Sequence, residues 1–418
     1  MHKLIFTMSI FIYAYNASGE QQLMDFINAG IKSDPILRSS KKLGEASKSE
    51  IEAEKSGFYP NINFNSIAAH TYRFDTENNA STLDFSITLT QPLFDKTIDA
   101  SINTAKSRYE LDKLKHKMAK QESIRSIIDD YLSALEFQEV LKNILVQKEF
   151  IEEHLQISTK KNQLGRTTSI DVDLVRARQK SIQANLMTAQ EEYQTAIQRL
   201  TLTTNIQVKE KLSVPNIYLE ANDFKDLNSL MLKHPQALIL ESNVKLSNSL
   251  ITQEESKKYP RIDAFASLES TQLDLNRKRG SIGLTFDYNL YDGGRINSRT
   301  ESAILRAESS QILHNNFLKD SITRLKLALS KYQFTQKHKD IAAEAKFAYK
   351  KVLDNRKIQF KVGSVSTTEV LQAQEVLFDS SQKLSEITIN QTKLAVEILS
   401  ISGMLSTKKL NKYLIKRP

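Results

Sequence analysis

Two very long stretches of apolar residues at helical spacing dominate the chain. After Pro92 neither glycine nor proline occurs until Gly165, and none occurs between Arg295 and Val362. Apolar residues recur every three or four positions within both stretches, which is typical of helices. A helix from about Thr97 to Gln163 would be roughly 100 Å long at 1.5 Å per residue, far beyond the usual globular helix. The pattern therefore predicts a coiled-coil assembly.

A pair of strand signals precedes each long helix. Residues 61–74 alternate between polar and apolar, and a second alternating segment follows at about 82–94, after a polar turn. The same arrangement returns at 261–273 and 281–291, around a charged turn. Each arm is somewhat longer than the roughly 9 to 11 residues that a tilted strand needs to cross a bilayer, although a hairpin in a soluble sheet is the alternative.

The chain reads as two copies of one unit. Aligning Gly165 with Gly363 gives an offset of 198 (363 − 165), and the same offset carries Asp171 onto Glu369. An offset of 200 relates further pairs, namely Asp34-Pro35 to His234-Pro235 and Tyr59-Pro60 to Tyr259-Pro260. Each copy thus has two short strands, a long helix, a glycine turn and a returning helix.

These signals divide the chain into five segments. Residues 1–19 resemble a signal peptide, because Lys3 precedes the apolar core Leu4–Ala14 and small residues follow; a buried N-terminal helix is the alternative. The first repeat spans 20–205, a connector spans 206–222 and the second repeat spans 223–403. A basic tail, 404–418, ends the chain.

The helix predicted from Ser169 to about Leu200 carries two apolar stripes. One stripe comprises Ile170, Leu174, Ala177 and Ala184. The other comprises Val172, Val175, Ile182, Leu186, Ala189, Tyr193, Ala196 and Leu200. Apolar residues on two separate faces predict neighbours on both sides, as in the wall of a cylinder. An ordinary helix inside a bundle is the alternative.

Composition narrows the function classes. The chain has no cysteine, which excludes disulfides, a thiolate metal site and a lipid-modified cysteine. The net charge of +9 is spread along helical faces without interleaved aromatic residues, so we predict no nucleic-acid partner. After the first twenty residues no apolar run approaches the roughly 20 residues of a spanning helix.

The residue pattern offers no catalytic or metal-binding constellation. The histidines His116, His154, His314 and His338 are widely separated, and we expect them to be solvated helix residues. Gly293-Gly294 lacks the Gly-Lys-Ser/Thr ending of a phosphate loop. We therefore predict that the protein is not an enzyme and needs no metal or cofactor.

The four predicted strands would leave two unpaired sheet edges, which a bilayer tolerates poorly. Membrane barrels begin at about eight strands, so at least two chains would have to share one barrel. Three chains would give a twelve-strand barrel wide enough for a channel. The strand pattern alone leaves two and three copies open.

The duplicated proline pairs, strand pairs, long helices, glycine turns and acidic helix starts resemble the TolC-like outer membrane efflux proteins over the whole mature chain. The resemblance implies a mainly α fold with a small β part, in which a homotrimer shares a twelve-strand barrel among outer membrane lipids and extends as an α-helical barrel through the periplasm. It implies a channel-tunnel that exports small molecules or proteins, by efflux or type I secretion. Its partners would be a periplasmic adaptor and an inner-membrane transporter of RND or ABC type. A periplasmic coiled-coil adaptor without a pore is the alternative function.

The resemblance also assigns roles to the two turns. The adaptor would dock at the tips, comprising Leu164, Gly165, Arg166, Val362, Gly363 and Ser364. The returning helices would line the periplasmic entrance with Asp171, Asp173, Glu369 and Gln372. The family often carries an arginine and a second acid where this chain has Val365 and Gln372, so we expect other contacts to close the entrance.

An acidic residue in the first turn of a helix has a second explanation. Carboxylates there are stabilised by the helix dipole and by free backbone amides, by about 0.3–1 kcal/mol. Asp171 and Glu369 are thus predicted as helix caps, as entrance residues, or as both.

Overall fold

The computed structural model describes residues 19–72, 80–271 and 278–414. Most of the predicted signal peptide, the far end of the first predicted strand and the end of the third lie outside the described residues. Gly19, the last residue assigned to the signal peptide, begins the first helix.

The described helices follow the duplicated pattern. In chain order they are α1 (Gly19–Ser33), α2 (Pro35–Lys55), α3 (Lys96–Gln163), α4 (Ser169–Thr204), α5 (Leu227–Leu232), α6 (Pro235–Ser256), α7 (Arg295–Val362), α8 (Thr367–Ile401) and α9 (Thr407–Leu414). Helices α3 and α7 are 68 residues each. Their lengths match because the two repeats place their glycine turns at equivalent positions.

Four strands form one antiparallel sheet. They are β1 (Asn61–Thr71), β2 (Ala80–Phe94), β3 (Arg261–Thr271) and β4 (Lys278–Asp287), in the order β1-β2-β3-β4. Strands β2 and β3 belong to different repeats, so the sheet joins the two copies. The fourth strand ends earlier than predicted, at Asp287 instead of residue 291.

The register places apolar residues of all four strands on one face. Ile62 lies opposite Leu89, Phe64 opposite Ile87, and Leu284 opposite Ala264. Most of the large apolar side chains on this face are exposed in the single chain. The other face is mainly polar, with Asn63 opposite Thr88 and Ser267 opposite Ser281, although Ile67 and Phe265 also lie on it. The sheet thus has one apolar and one polar face, as the alternation predicts.

The first of two compact units combines residues 19–35, 120–230 and 322–414. Its largest core packs α1, α3, α4, α8 and α9 around Tyr131, which is fully buried. The Tyr131 hydroxyl donates to the backbone oxygen of Ser213, at 2.7 Å, and so ties the connector to α3. Both hairpin tips belong to this unit.

The second unit combines residues 36–72, 80–119, 231–271 and 278–321, and contains the sheet. Small polar side chains link its helices: the Ser107 and Ser249 hydroxyls lie 2.8 Å apart, and the Ser40 hydroxyl lies 2.8 Å from Nδ1 of His116. Small side chains allow close helix packing where α3 and α6 meet.

The segment after Gly403, which the sequence suggested only as a basic tail, contains α9. This helix buries Leu410, Tyr413 and Leu414 and exposes its lysines. Lys412 and the Tyr413 hydroxyl both bind Asp223, at 3.2 and 2.8 Å. Among the described helices, none combines the length and apolar character needed to cross a membrane.

Candidate entrance at the two hairpin tips

Two glycines reverse the chain at the tips. Gly165 has φ of +68° and Gly363 has φ of +86°, in the left-handed region where a Cβ is strained. Each turn closes the helix end in the same way: the Arg166 amide donates to the Lys161 oxygen, and the Ser364 amide donates to the Gln359 oxygen. The offset of 198 therefore relates hydrogen bonds as well as residue types.

The flanking residues of both turns are exposed. Leu164, Arg166, Val362 and Ser364 all face solvent in the single chain. The six predicted tip residues are thus placed where a partner can reach them, and their docking role stays a prediction.

Both returning helices begin with a capping box. At α4, the Thr168 hydroxyl accepts from the Asp171 amide, while the Asp171 carboxylate accepts from the Thr168 amide. At α8, Ser366 and Glu369 make the same reciprocal pair. The capping explanation of the two acids is therefore confirmed.

These contacts also hold both carboxylates in the charged form. Hydrogen bonds, the largest from the Thr168 hydroxyl, lower the pKa of Asp171. The backbone amide of Ser366 is the main cause that lowers the pKa of Glu369, and the Arg356 guanidinium adds to it from 3.4 Å. Both acids therefore carry negative charge at neutral pH, as the proposed entrance role also requires.

The other two predicted entrance residues do not join this cluster. Asp173 pairs with Arg176 on its own helix, at 2.8 Å, and Gln372 is exposed on α8. Their entrance role stays a prediction. Across the described residues, no three His, Asp or Glu side chains come together as metal ligands would.

An ion pair that sequence reasoning missed joins the two returning helices. Arg178 of α4 lies 3.1 Å from Glu375 of α8. Apolar residues nearby, Val175 and Ile182 of α4 with Leu371 of α8, pack in one cluster. Neither charged residue belongs to the motif around its tip, so no local signal in the sequence pairs them.

The outgoing helices are also joined near the tips. Lys161 of α3 donates to the backbone oxygen of Phe360 on α7, and its ammonium lies 3.8 Å from the centre of the Phe360 ring. Because these residues are four and three positions from their glycines, the two tips lie at the same level.

His154 was predicted to be solvated, and this prediction is wrong. Only 4% of the residue is exposed, because its ring stacks on Phe150 and contacts the tilted ring of Phe360, with centroids at 5.8 and 4.8 Å. Its Nε2 atom finds no hydrogen-bond partner among the described residues. Burial lowers the pKa of His154 to about 4. A lone histidine gives no sequence signal of burial, since the rings that enclose it come from both repeats.

A sheet with one apolar face, joined to two long helical hairpins with level tips, defines an outer membrane channel with a helical tunnel. The sequence profile of the family "Outer membrane efflux protein" matches residues 27–205 and 227–404. The chain belongs to this family. It is an outer membrane efflux channel that extends into the periplasm.

Individual relatives are distant in sequence and close in fold. The outer membrane protein TolC of Escherichia coli K12 is 22% identical, over 94% of this chain and 84% of its own length. A crystal structure of CusC has a TM-score of 0.82 at 14% identity, and covers 94% of this chain and 96% of that one. The CmeC channel of Campylobacter jejuni has a TM-score of 0.79 at 15% identity, covering 95% and 89%.

Proposed function

We propose that three copies of this chain close one channel, whose tips at Gly165 and Gly363 dock a periplasmic adaptor that connects it to an inner-membrane transporter. The channel carries small molecules or proteins that the transporter delivers, and performs no chemistry on them. The observation that carries this proposal is the set of unpartnered surfaces on the single chain.

The sheet supports a shared barrel. Strands β1 and β4 are its two edges, and in the described residues neither pairs with a further strand. An edge strand presents a row of free backbone donors and acceptors, which lipid cannot satisfy. Pairing β4 of one copy with β1 of the next satisfies both edges, and three copies give twelve strands.

The stripes on the helices support the same assembly. The second predicted stripe of α4 is mostly buried, whereas all four members of the first stripe, Ile170, Leu174, Ala177 and Ala184, are exposed. Helix α7 exposes a stripe of its own at heptad spacing, comprising Leu327, Phe334 and Ile341. We define the α4 and α7 stripes as the copy-contact stripes. Each needs an apolar neighbour, and the other stripe on the next copy supplies one.

The level tips determine which residues of the two helices meet. Met187 continues the α4 stripe one step beyond Ala184, and it follows Gly165 at the same sequence distance at which Ile341 precedes Gly363 (187 − 165 = 363 − 341). Because both helices have the same rise, about 1.5 Å per residue, Met187 and Ile341 lie at the same height. Met187 is 72% exposed and Ile341 is 65% exposed in the single chain. We expect them to be neighbours across the contact between copies.

An engineered disulfide tests the assembly. Because the chain has no native cysteine, only the introduced pair can form a disulfide. Met187→Cys with Ile341→Cys should produce covalent ladders of two and three chains on oxidation in the outer membrane. The control pairs Met187→Cys with Phe334→Cys, one heptad or about 10 Å higher, beyond disulfide reach. Ladders that stop at two chains, or equal ladders in the control, would contradict the trimer.

The ion pair between α4 and α8 is our candidate for closing the entrance. It takes the place of the arginine and second acid that this chain lacks at Val365 and Gln372. Arg178→Gln should raise the single-channel conductance, because the substitution removes the ion pair with Glu375 that joins the two returning helices. Unchanged conductance in a planar bilayer would remove Arg178 from this role.

The alternative function, an adaptor without a pore, gains no support from the observations. It would need one helical hairpin, whereas this chain has two, and the apolar face of its sheet would lack a purpose.

A further inference from the structure

The two hairpins have the same turns but differ in the charge next to them. At the offset of 198, Lys350 and Lys351 of α7 correspond to Glu152 and Glu153 of α3. Residues 346–362 carry six basic and one acidic residue, whereas 148–164 carry three of each. The second repeat thus has a net charge of +5 near its tip, whereas the first repeat has a net charge of zero there.

The lysines of α7 gather on one face. Lys350 and Lys357 are one heptad apart, as are Lys351 and Ile358, and Lys361 lies one turn further along. We call these five residues the basic surface. Ile358 is 63% exposed among these charges.

This surface is distinct from the contact between copies. The heptad positions of the α7 copy-contact stripe run on from Ile341 through Ala348 and Asn355 to Val362, on a different face from Lys350 and Lys357. The opposing start of α4, residues 169–184, carries three basic and two acidic residues. It therefore offers no excess of acid to the lysines, and another copy of this chain is a poor partner for them.

A small cavity adjoins the basic surface. It has a volume of about 40 Å³ and lies between α3, α7 and α8, with Lys357 and Lys361 at its edge and Phe150 and Val370 in its wall. The Lys357 ammonium lies 4.6 Å from the centre of the Phe150 ring. Glu153 of α3 also lines the cavity, so the two ammonium groups share it with one carboxylate of this chain, and we expect an acidic partner on the exposed basic surface and not inside the cavity.

We infer that the basic surface of α7 binds an acidic helical segment of the periplasmic adaptor, so that the second hairpin and not the first provides the charge recognition. The inference rests on the proposed function, which places the adaptor at the tips. Asp or Glu side chains four and seven positions apart on the adaptor helix would reach Lys350, Lys357 and Lys361. The first hairpin, with Glu152 and Glu153 at the equivalent positions, would repel the same segment.

Photo-crosslinking tests the inference in intact cell envelopes. Asp354→Cys places a unique thiol at the centre of the basic surface, and a maleimide-benzophenone reports its neighbours. Mass spectrometry should identify one periplasmic peptide rich in Asp and Glu. Lys350→Glu with Lys357→Glu should lower the yield roughly tenfold, since two favourable charge pairs become repulsive. The matched control, Lys326→Glu with Lys331→Glu, reverses two exposed lysines of α7 far from the tip and should leave the yield unchanged.

A charge swap completes the test. Changing the two nearest acids of the crosslinked peptide to lysine should restore the yield with the reversed surface. A neutral or basic peptide, a crosslink to another copy of this chain, or equal yields in reversal and control would overturn the inference. Failure of the proposed function is separate: loss of the Met187–Ile341 disulfide ladders would contradict the trimer, and the absence of any periplasmic protein crosslinked to the native surface would contradict docking at the tips.

Discussion

Acidification should loosen the hairpin tips through His154. The ring is buried between two phenylalanines, and burial is the main cause that lowers its pKa from 6.5 to about 4. A tip that opens exposes the ring to water and returns its pKa to the ordinary value. The closed tip then binds fewer protons than the open one, so closure is at full strength above pH 6.5 and weakens as pH falls towards 4.

The neighbouring charges do not reverse this sign. On α3, Glu153 favours the charged ring and Lys161 opposes it, and Lys357 opposes it from α7. Lys361 of α7 also borders the cavity, and α8 contributes only Val370 there. The net lowering of the pKa to about 4 therefore predicts that the free energy favouring the closed tip falls by about 2 kcal/mol at pH 5. Well below pH 4 it falls by about 3.4 kcal/mol.

Hydrogen exchange of peptides from 150–163 and 353–370 measures this loss at pH 7 and pH 5, after correction for intrinsic rates. The opening constant should be about twentyfold larger at pH 5 than at pH 7. His154→Phe cannot titrate, and the adjoining cavity has room for its extra atoms, so it should show little change. The Asp171 and Glu369 carboxylates have lowered pKa values, and their contributions are lost only below about pH 4.5. An equal rise in the variant, or no rise in the native protein, would refute the role of the imidazole.

Two further outcomes test the tips. Asp171→Asn with Glu369→Gln should make the purified channel less cation-selective in a planar bilayer, because charge is lost at the entrance. Thr168→Ala with Ser366→Ala keeps both charges and costs about 1 kcal/mol at each helix start, so an equal loss of selectivity would assign the effect to the caps. Gly363→Ala should speed hydrogen exchange at 360–366 by roughly fivefold, since the left-handed turn costs an alanine about 1 kcal/mol; unchanged exchange would contradict the strain argument.

The sequence predicted the long helices and their turns to within a few residues, because each of these boundaries has a local chemical cause. Helix α3 ends where Gly165 allows a left-handed turn, and α4 begins where Thr168 and Asp171 can cap it. The strands follow from alternation on a two-residue period. Helix α9 was missed because three buried residues among lysines, over eight positions, make a weak periodic signal.

The candidate site was less predictable, since it depends on residues brought together from both repeats. The capping acids are local and were found. The Arg178–Glu375 pair and the enclosure of His154 by Phe360 each join one repeat to the other, and nothing in either neighbourhood of the sequence marks them. Heptad periodicity states which face of a helix is apolar, but not which helix covers it.

The two repeats share the residues that form the tip turns but differ in the charged residues next to them. Glycine, the hydroxyl cap and the acid of the first turn occur in both copies, because the backbone can reverse and restart a helix in few ways. The solvent-facing positions of the helices carry no such constraint. There the first repeat has Glu152 and Glu153 at the positions equivalent to Lys350 and Lys351 of the second repeat. The proposed ring of three chains would therefore present six similar turns of two chemical kinds in alternation. A partner that reads charge will distinguish three of them from the other three, even though the backbone of all six is alike.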